Sequence, residues 1–276
     1  MEVLPPDVSS DAVVLDVVVP AFNEADRLPD TLLLLRAALA GLGVPCRVTV
    51  VDNASTDATA EVVSSALPGT VPVRLLWCGE RGKGFAVRTG VLASDARYVG
   101  FCDADLATAP DNLGQVLGLL TAGVDVVVGS RAHPESVVEE RHSLLRRWGA
   151  VAFRGAVRQV VRGVGETQCG FKFFRADVAR RAFAPLRCGG FAFDVEVLGR
   201  VERAGARLEE IPVNWVDVPG SRFSPVRHGW QSFVDVAKIR WRLRHASAVS
   251  TAPAPVVAIP VAPDVSTGAA TVGLRP

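Results

Sequence analysis

Tyr98-Val99-Gly100-Phe101-Cys102-Asp103-Ala104-Asp105-Leu106-Ala107 is the stretch on which the fold turns. Tyr98, Val99 and Phe101 supply the aromatic and β-branched residues of a short buried strand. The strand runs directly into two carboxylates, Asp103 and Asp105. Strand alternation sends both to one side, where like charges repel unless a cation joins them. Carboxylate oxygens are hard ligands, suited to Mg²⁺ or Mn²⁺ with positions left for substrate phosphates. Ligands of open α/β sheets gather at the C-terminal ends of strands, where this pair is expected. Taken alone, Asp-Ala-Asp is more often a solvated turn; the sequence on either side shifts the reading.

Upstream, the Val-rich run Val13 to Val19 reads as a buried parallel strand, ending in the loop Pro20-Ala21-Phe22-Asn23-Glu24. A helix follows from about Leu28 to Leu39, closed by Gly41 and Gly43. Arg47 to Val51 is a second strand, ending in Asp52-Asn53-Ala54-Ser55-Thr56-Asp57; a helix from Ala58 to Ala66 and a strand from Val73 to Trp77 follow. This alternation of strand, polar loop and helix is a βαβαβ nucleotide-binding half. At the second strand end, Asp52 can hydrogen-bond a base edge or a ribose, while Ser55, Thr56 and Asp57 can cap the next helix. Further on, Gly82 and Gly84 flank Lys83 just before a helix. That lets backbone N–H groups and a cation meet an anion, although the spacing is not that of a P-loop and Gly-Lys-Gly is also an ordinary turn. Beyond the aspartates, a helix from Asp111 to Leu120 and a strand from Val124 to Val128 lead to Gly129-Ser130-Arg131.

The chain has 276 residues, 49% hydrophobic and 21% charged, which are globular proportions and enough for a substantial α/β core. A net charge of +1 gives no global attraction to nucleic acid. Of the 30 basic residues only Lys83, Lys172 and Lys238 are lysines; GC-rich coding accounts for that bias, and bidentate phosphate binding is a further use of it. Five scattered cysteines lack metal or redox spacing and read as buried thiols of a reducing compartment. No signal peptide or membrane-spanning run is read, so a soluble protein, or one lying on a membrane without crossing it, is expected.

Together the motifs Val-Val-Val-Pro-Ala-Phe-Asn-Glu, Val-Asp-Asn-Ala-Ser-Thr-Asp, Arg-Gly-Lys-Gly-Phe-Ala-Val-Arg-Thr-Gly, Asp-Ala-Asp-Leu-Ala-Thr and Gly-Ser-Arg-Ala-His resemble a family-2 glycosyltransferase. Thr167 to Phe174, Phe191 to Glu196, Ile211 to Trp215 and Gly220-Ser221-Arg222 sharpen the resemblance towards the dolichyl-phosphate glucosyltransferase branch, over roughly residues 13–245. The resemblance implies an α/β, GT-A fold: a Rossmann-like nucleotide-binding half with a central mixed, mostly parallel sheet flanked by helices. It implies a single domain over 13–246, with a nucleotide-sugar half to about 131 and an acceptor half beyond. Residues 1–12 are a flexible lead-in, and the Ala/Pro/Val-rich 247–276 reads as a disordered tail.

By the same resemblance, Pro20, Ala21, Asn23, Glu24, Asp52 and Ala104 hold the nucleoside of a sugar nucleotide, and Lys83 lies by its diphosphate. Asp103 contacts the ribose or the metal, and Asp105 is the main ligand of Mg²⁺ or Mn²⁺. Arg131 faces the reacting phosphates, and Asp194 and Glu196, at a helix start, shape the sugar and acceptor side. One departure is Asn53-Ala54, where Asp-Gly is commoner. The implied reaction moves glucose from UDP-glucose to a polyprenyl phosphate with inversion, at the cytoplasmic membrane face. A phosphate acceptor needs charge neutralisation more than a base, and Arg131, Arg141, Arg146 and Arg222 are available for it; a hydroxyl acceptor would need a carboxylate base, for which Asp194 is the candidate. GDP-mannose as donor, a soluble hydroxyl acceptor, and a nucleotide-sugar-binding protein without turnover stay open. Arg141 to Arg162 reads either as an interfacial helix on anionic lipid, with Arg147, Arg154, Arg158 and Arg162 on one side, or as a packed helix with a solvated Arg face. Trp230 to Leu243 reads as a second amphipathic helix.

Overall fold

The structure is a computed structural model that describes residues 12–66, 69–139, 152–218 and 225–245. Its centre is a seven-stranded sheet in the order β3-β2-β1-β4-β7-β5-β8, made of β1 (Leu15–Ala21), β2 (Cys46–Asp52), β3 (Val73–Trp77), β4 (Tyr98–Cys102), β5 (Val126–Ser130), β7 (Phe171–Arg175) and β8 (Leu208–Pro212). Only β7 runs antiparallel to its neighbours, wedged between β4 and β5. A small parallel pair, β6 (Val137–Glu139) with β9 (Asn214–Val216), stands beside it. The mixed, mostly parallel α/β sheet is the expected one.

Period-2 alternation divides the core. Leu15, Val17 and Val19 of β1, with Val48 and Val50 of β2, pack under α1 (Leu28–Ala40), α2 (Thr59–Ser65) and α4 (Leu113–Thr121). Val18, Val51, Val99 and Phe101 face the opposite layer. That layer is built by α3 (Lys83–Ala93), α5 (Ala176–Phe183), α6 (Phe193–Arg203) and α7 (Pro225–His245). In α1, Leu28, Leu32, Leu35 and Leu39 recur at helical spacing and are buried, while Leu33 and Leu34 of the same run face solvent.

Strand ends differ from the sequence reading in an informative way. β1 extends through Pro20 and Ala21, which the sequence places in a loop. Its pairing with β4 stops at Val18 opposite Phe101, so beyond that point only the β2 side needs filling. Ala21 O meets that need by accepting Asn53 N at 2.8 Å, and Pro20 lacks an N–H where none is called for. β5 likewise runs two residues further than expected, to Ser130.

The N-terminal edge of the sheet is closed by a buried carboxylate. Asp16, fully buried, accepts Arg47 Nε (3.1 Å) and Nη2 (2.6 Å), Thr49 Oγ1 (2.8 Å) and Ser94 Oγ (2.8 Å). It thereby joins β1, β2 and the end of α3, and Arg47 serves to hold strands together rather than to bind phosphate.

Of the segment 141–162, residues up to 151 lie outside the described part. The remainder has a short helical stretch over 152–157. Val157, at its end, and Val160 and Val161 beyond it are buried in the core while Arg154, Arg158 and Arg162 are exposed, so the expected helix does not run on to Arg162. Among the described residues no helix is long and apolar enough to cross a membrane. Residues 1–11 of the expected lead-in 1–12, and the whole of the expected tail 247–276, lie outside the described residues.

Removing the Asp16 carboxylate breaks a buried ion cluster, so Asp16→Ala is expected to cost about 3 kcal/mol in urea unfolding. A loss below about 1 kcal/mol, the level of an ordinary surface change, would make the cluster incidental.

Candidate active site

The loops that leave β1, β2 and β4 at the C-terminal edge carry the candidate site. Each holds a non-glycine residue in the left-handed region: Asn23 (φ 54°), Ala54 (φ 60°) and Leu106 (φ 44°). Such backbone is strained and persists where surrounding contacts fix it. Asn23 N donates to Ser55 Oγ (2.9 Å) and Asn23 Oδ1 accepts Thr56 N (2.7 Å). Glu24 N donates to Thr59 Oγ1 (2.9 Å), and Ser55 N to Asp52 Oδ1 (3.0 Å). The first two loops are therefore one unit, with Asp52 both closing its own turn and lying at the strand end. Asp57 accepts Ala25 N (3.2 Å) and Thr59 N (3.1 Å), so it joins the first loop to the start of α2, whose N-cap residue is Ala58; Ser55 and Thr56, expected to cap that helix, bond to Asn23 instead.

Asn53 ties this unit to the lysine loop. Its side chain is buried; Nδ2 donates to Cys78 O (3.2 Å) and Glu80 O (2.7 Å), and Oδ1 accepts Gly82 N (2.7 Å). An aspartate could not make the two donations, so the departure from Asp-Gly has a physical use that sequence reasoning missed.

The glycines around Lys83 also act differently from expectation. Gly82 N is taken by Asn53, and Gly84 N donates to Gly189 O (2.9 Å). A Cβ at Gly82 would lie 2.4 Å from Gly189 O, and one at Gly84 2.5 Å from Cys188 O. These residues let two loops touch; their amides are not spare for an anion. Lys83 is the part of the motif that stays available for charge. Its Nζ meets Asp103 Oδ1 at 2.5 Å. Burial acts to lower its pKa, but Asp103, Asp194 and Asp105 outweigh it and hold the ammonium above its ordinary value.

Asp103 and Asp105 do not come together by strand alternation. β4 ends at Cys102, and residues 103–106 form a turn in which Leu106 N donates to Asp103 O (3.1 Å). Asp105 Oδ1 accepts Ala107 N (3.1 Å), and Ala104 O accepts the hydroxyl of Thr31 (2.5 Å). Burial and then the neighbouring Asp103 carboxylate push Asp105 above the usual carboxylate range, against the pull of Ala107 N, Lys83 and Arg27. An Asp105 carboxylate made unfavourable by burial and by its neighbour Asp103, at the mouth of a sheet, fits a hard divalent cation that takes few protein ligands and leaves room for phosphates. Gly170 makes the turn possible: a Cβ there would lie 2.1 Å from Asp103 Oδ2. The Cys-Gly-Phe-Lys motif is the only trace of that contact in the sequence.

Asp194 is buried and pairs with the fully buried Lys172 at 3.0 Å. Burial raises its pKa most, Lys172 and Lys83 oppose, and the net direction is upwards. The carboxylate expected to face an acceptor is thus engaged inside the fold, where its charge acts on Lys83. Glu196, expected on the acceptor side, is also buried; it accepts Cys188 N (3.0 Å) and Arg200 Nη2 (2.7 Å). It anchors the loop before α6. Arg131 has partners on two other segments. Its Nε donates to Glu166 Oε2 (3.0 Å), and its guanidinium lies 5.2 Å from the Trp215 ring centre. Arg141, Arg146 and Arg222 lie outside the described residues.

With this geometry in place, known proteins fall into line. The sequence model of glycosyl transferase family 2 matches residues 16–183. The chain belongs to that family. It is a glycosyltransferase, and the fold is GT-A. A dolichyl-phosphate beta-glucosyltransferase of Dictyostelium discoideum is 34% identical over 246 residues, covering 84% of this chain and 75% of the relative. Its namesake in Homo sapiens is 34% identical over 259 residues, covering 87% and 79%. In structure, glucosyl-3-phosphoglycerate synthase from Mycobacterium tuberculosis, solved with Mn²⁺, UDP-glucose and phosphoglyceric acid, superposes with a TM-score of 0.61 over 83% of this chain and 80% of that one, at 15% identity.

If Asn53 holds the lysine loop, Asn53→Asp removes two donors and sets a carboxylate against two carbonyls. The expected cost is about 2 kcal/mol in thermal or urea unfolding. Stability equal to the parent would mean that the loop is held without it.

Proposed function

We propose that the protein transfers glucose from UDP-glucose to a polyprenyl or dolichyl phosphate, giving a β-linked lipid-phosphate sugar with inversion at the anomeric carbon. The observation that carries this reading is the cluster of Lys83, Asp103 and Asp105 at the C-terminal edge of the sheet, in a chain whose relatives bear that activity's name over most of their length. Asp52 and the joined loops of Asn23 and Ser55 receive the nucleoside, with Pro20, Ala21, Glu24 and Ala104 lining the same edge. Asp105 and Asp103 hold Mg²⁺ or Mn²⁺. The ion, when bound, offsets charge on the departing nucleoside diphosphate. Lys83, kept charged by its three carboxylate neighbours, adds a second positive charge on the diphosphate side.

The acceptor phosphate is already an anion, so one of its oxygens can bond to the anomeric carbon as the bond to the diphosphate breaks. No proton has to be removed first. That suits a site in which Asp194 is engaged by Lys172 and acts as a positioning residue. Arg131, oriented by Glu166 and Trp215, is assigned to the acceptor phosphate, together with Arg141, Arg146 and Arg222. Residues to about 131 form the nucleotide-sugar half and those to about 246 the acceptor half. A lipid acceptor places the reaction at a membrane face, with the protein peripheral and cytoplasmic.

Labelled UDP-glucose, polyprenyl phosphate and Mn²⁺ or Mg²⁺ should yield label in the organic phase. Asp105→Ala should reduce the rate by on the order of 10²-fold or more, and chelation should do the same. Transfer from GDP-mannose instead would change the sugar and keep the mechanism. No lipid product from any donor, with donor still bound, would sink the lipid-phosphate reading.

A further inference from the structure

A second basic centre lies beside Arg81 and Gly82 of the lysine loop. A cavity of about 430 Å³ is walled by Arg81, Arg187, Lys238 and Arg242, with Phe85 and Ile239 as apolar surface. Its lining does not include Asp52, Lys83, Asp103 or Asp105. It opens between three elements: the loop of Gly82, the loop of Gly189 and α7. Gly84 N bonded to Gly189 O (2.9 Å) sets the first two against each other. Glu196 holds the second from behind, through Cys188 N (3.0 Å), and lies 3.9 Å from Arg242 Nη1.

The charge balance is one-sided. The one carboxylate in the lining is Asp235, whose Oδ1 accepts Gln231 Nε2 at 3.0 Å. Among the described residues, no acid lies within ion-pair distance of Arg81, Arg187 or Lys238. Burial, with Asp235 and Glu196 nearby, pushes the Cys188 thiol up to about 12, so it stays neutral in the wall. Four cations against one lining carboxylate favour a compact, multiply charged anion, and arginine forks suit phosphate oxygens.

We propose that this cavity binds a phosphomonoester group, separately from the nucleotide-sugar carboxylates. The apolar surface of Phe85 and Ile239 suits a phosphate carried on an apolar body. The site does not depend on which donor or acceptor the enzyme uses, so it can fail while the transfer reading stands, and the reverse.

The test uses the full chain, with inorganic phosphate in one arm and vesicles in the other. The vesicles are phosphatidylcholine doped with phosphatidic acid or with phosphatidylserine, the latter carrying negative charge without a phosphomonoester. Binding should weaken about tenfold in the double variant Arg187→Glu with Lys238→Glu, and persist in Arg187→Lys with Lys238→Arg. The unfolding midpoint of each variant reports whether the fold is intact, and single Lys238→Ala serves if the double variant does not fold. Saturable binding of inorganic phosphate, lost on charge reversal, supports a site for free phosphate. Binding only to phosphatidic acid vesicles, beyond that to phosphatidylserine, supports a lipid-borne one. Equal binding to the two vesicle types with no binding of inorganic phosphate, or folded charge-reversed protein that binds like the parent, overturns the proposal.

Discussion

A lysine ammonium carried into the centre of a sheet must find compensation, and the site is arranged around how Lys172 finds it. β7 places Phe171, Lys172, Phe173 and Phe174 in the interior between β4 and β5. The Lys172 side chain is fully buried. Its ammonium meets Asp194 Oδ1 at 3.0 Å, donates to Cys169 O and lies 5.4 Å from the Phe101 ring centre. Breaking such a buried pair costs several kcal/mol, because one charge is left without compensation. Removing either partner would therefore disturb β7, the start of α6 and the turn of Gly170 together. Since Gly170 is what admits the Asp103 carboxylate, the buried pair and the half-buried acidic turn share one support.

The two edges of the sheet divide the work. At the N-terminal edge, Asp16 is satisfied by Arg47, Thr49 and Ser94, and its charge is spent on holding strands together. At the C-terminal edge, Lys83 and Asp103 are only partly covered, with side chains 24% and 31% exposed. Asp105 is left in a state that burial and Asp103 make unfavourable. Electrostatic and backbone strain concentrated on one edge makes it the candidate functional one, and a divalent cation would relieve the carboxylate repulsion.

Much of this was legible in the chain. β3 agrees with the sequence reading at both ends, α1 and β2 agree to within one residue at each end, and the order of elements through β5 follows from alternating apolar runs and polar loops. The aspartate pair was legible as a pair, although its geometry was not. A turn with Leu106 at φ 44° leaves no period in the sequence, because it is fixed by Gly170 from a strand that is distant in the chain. The antiparallel insertion of β7 was illegible for the same reason, since local pattern does not reveal which neighbours a strand will find. Lys172 among phenylalanines was the visible clue: a cation in an aromatic strand needs a buried acid, and Asp194 is one. The roles of Gly82 and Gly84 were misread because close packing of two loops and approach to an anion call for the same residue.

The central claim is that Asp103, Asp105 and Lys83 form a metal-assisted nucleoside-diphosphate site. Calorimetric titration of UDP into the protein, with Mn²⁺ and then with chelator, tests it most directly. The account predicts affinity at least about tenfold higher with the metal, as expected when a cation joins carboxylates to phosphates, and loss of that difference in Asp105→Ala. Equal affinity with and without metal, or a metal effect that survives Asp105→Ala, would contradict it.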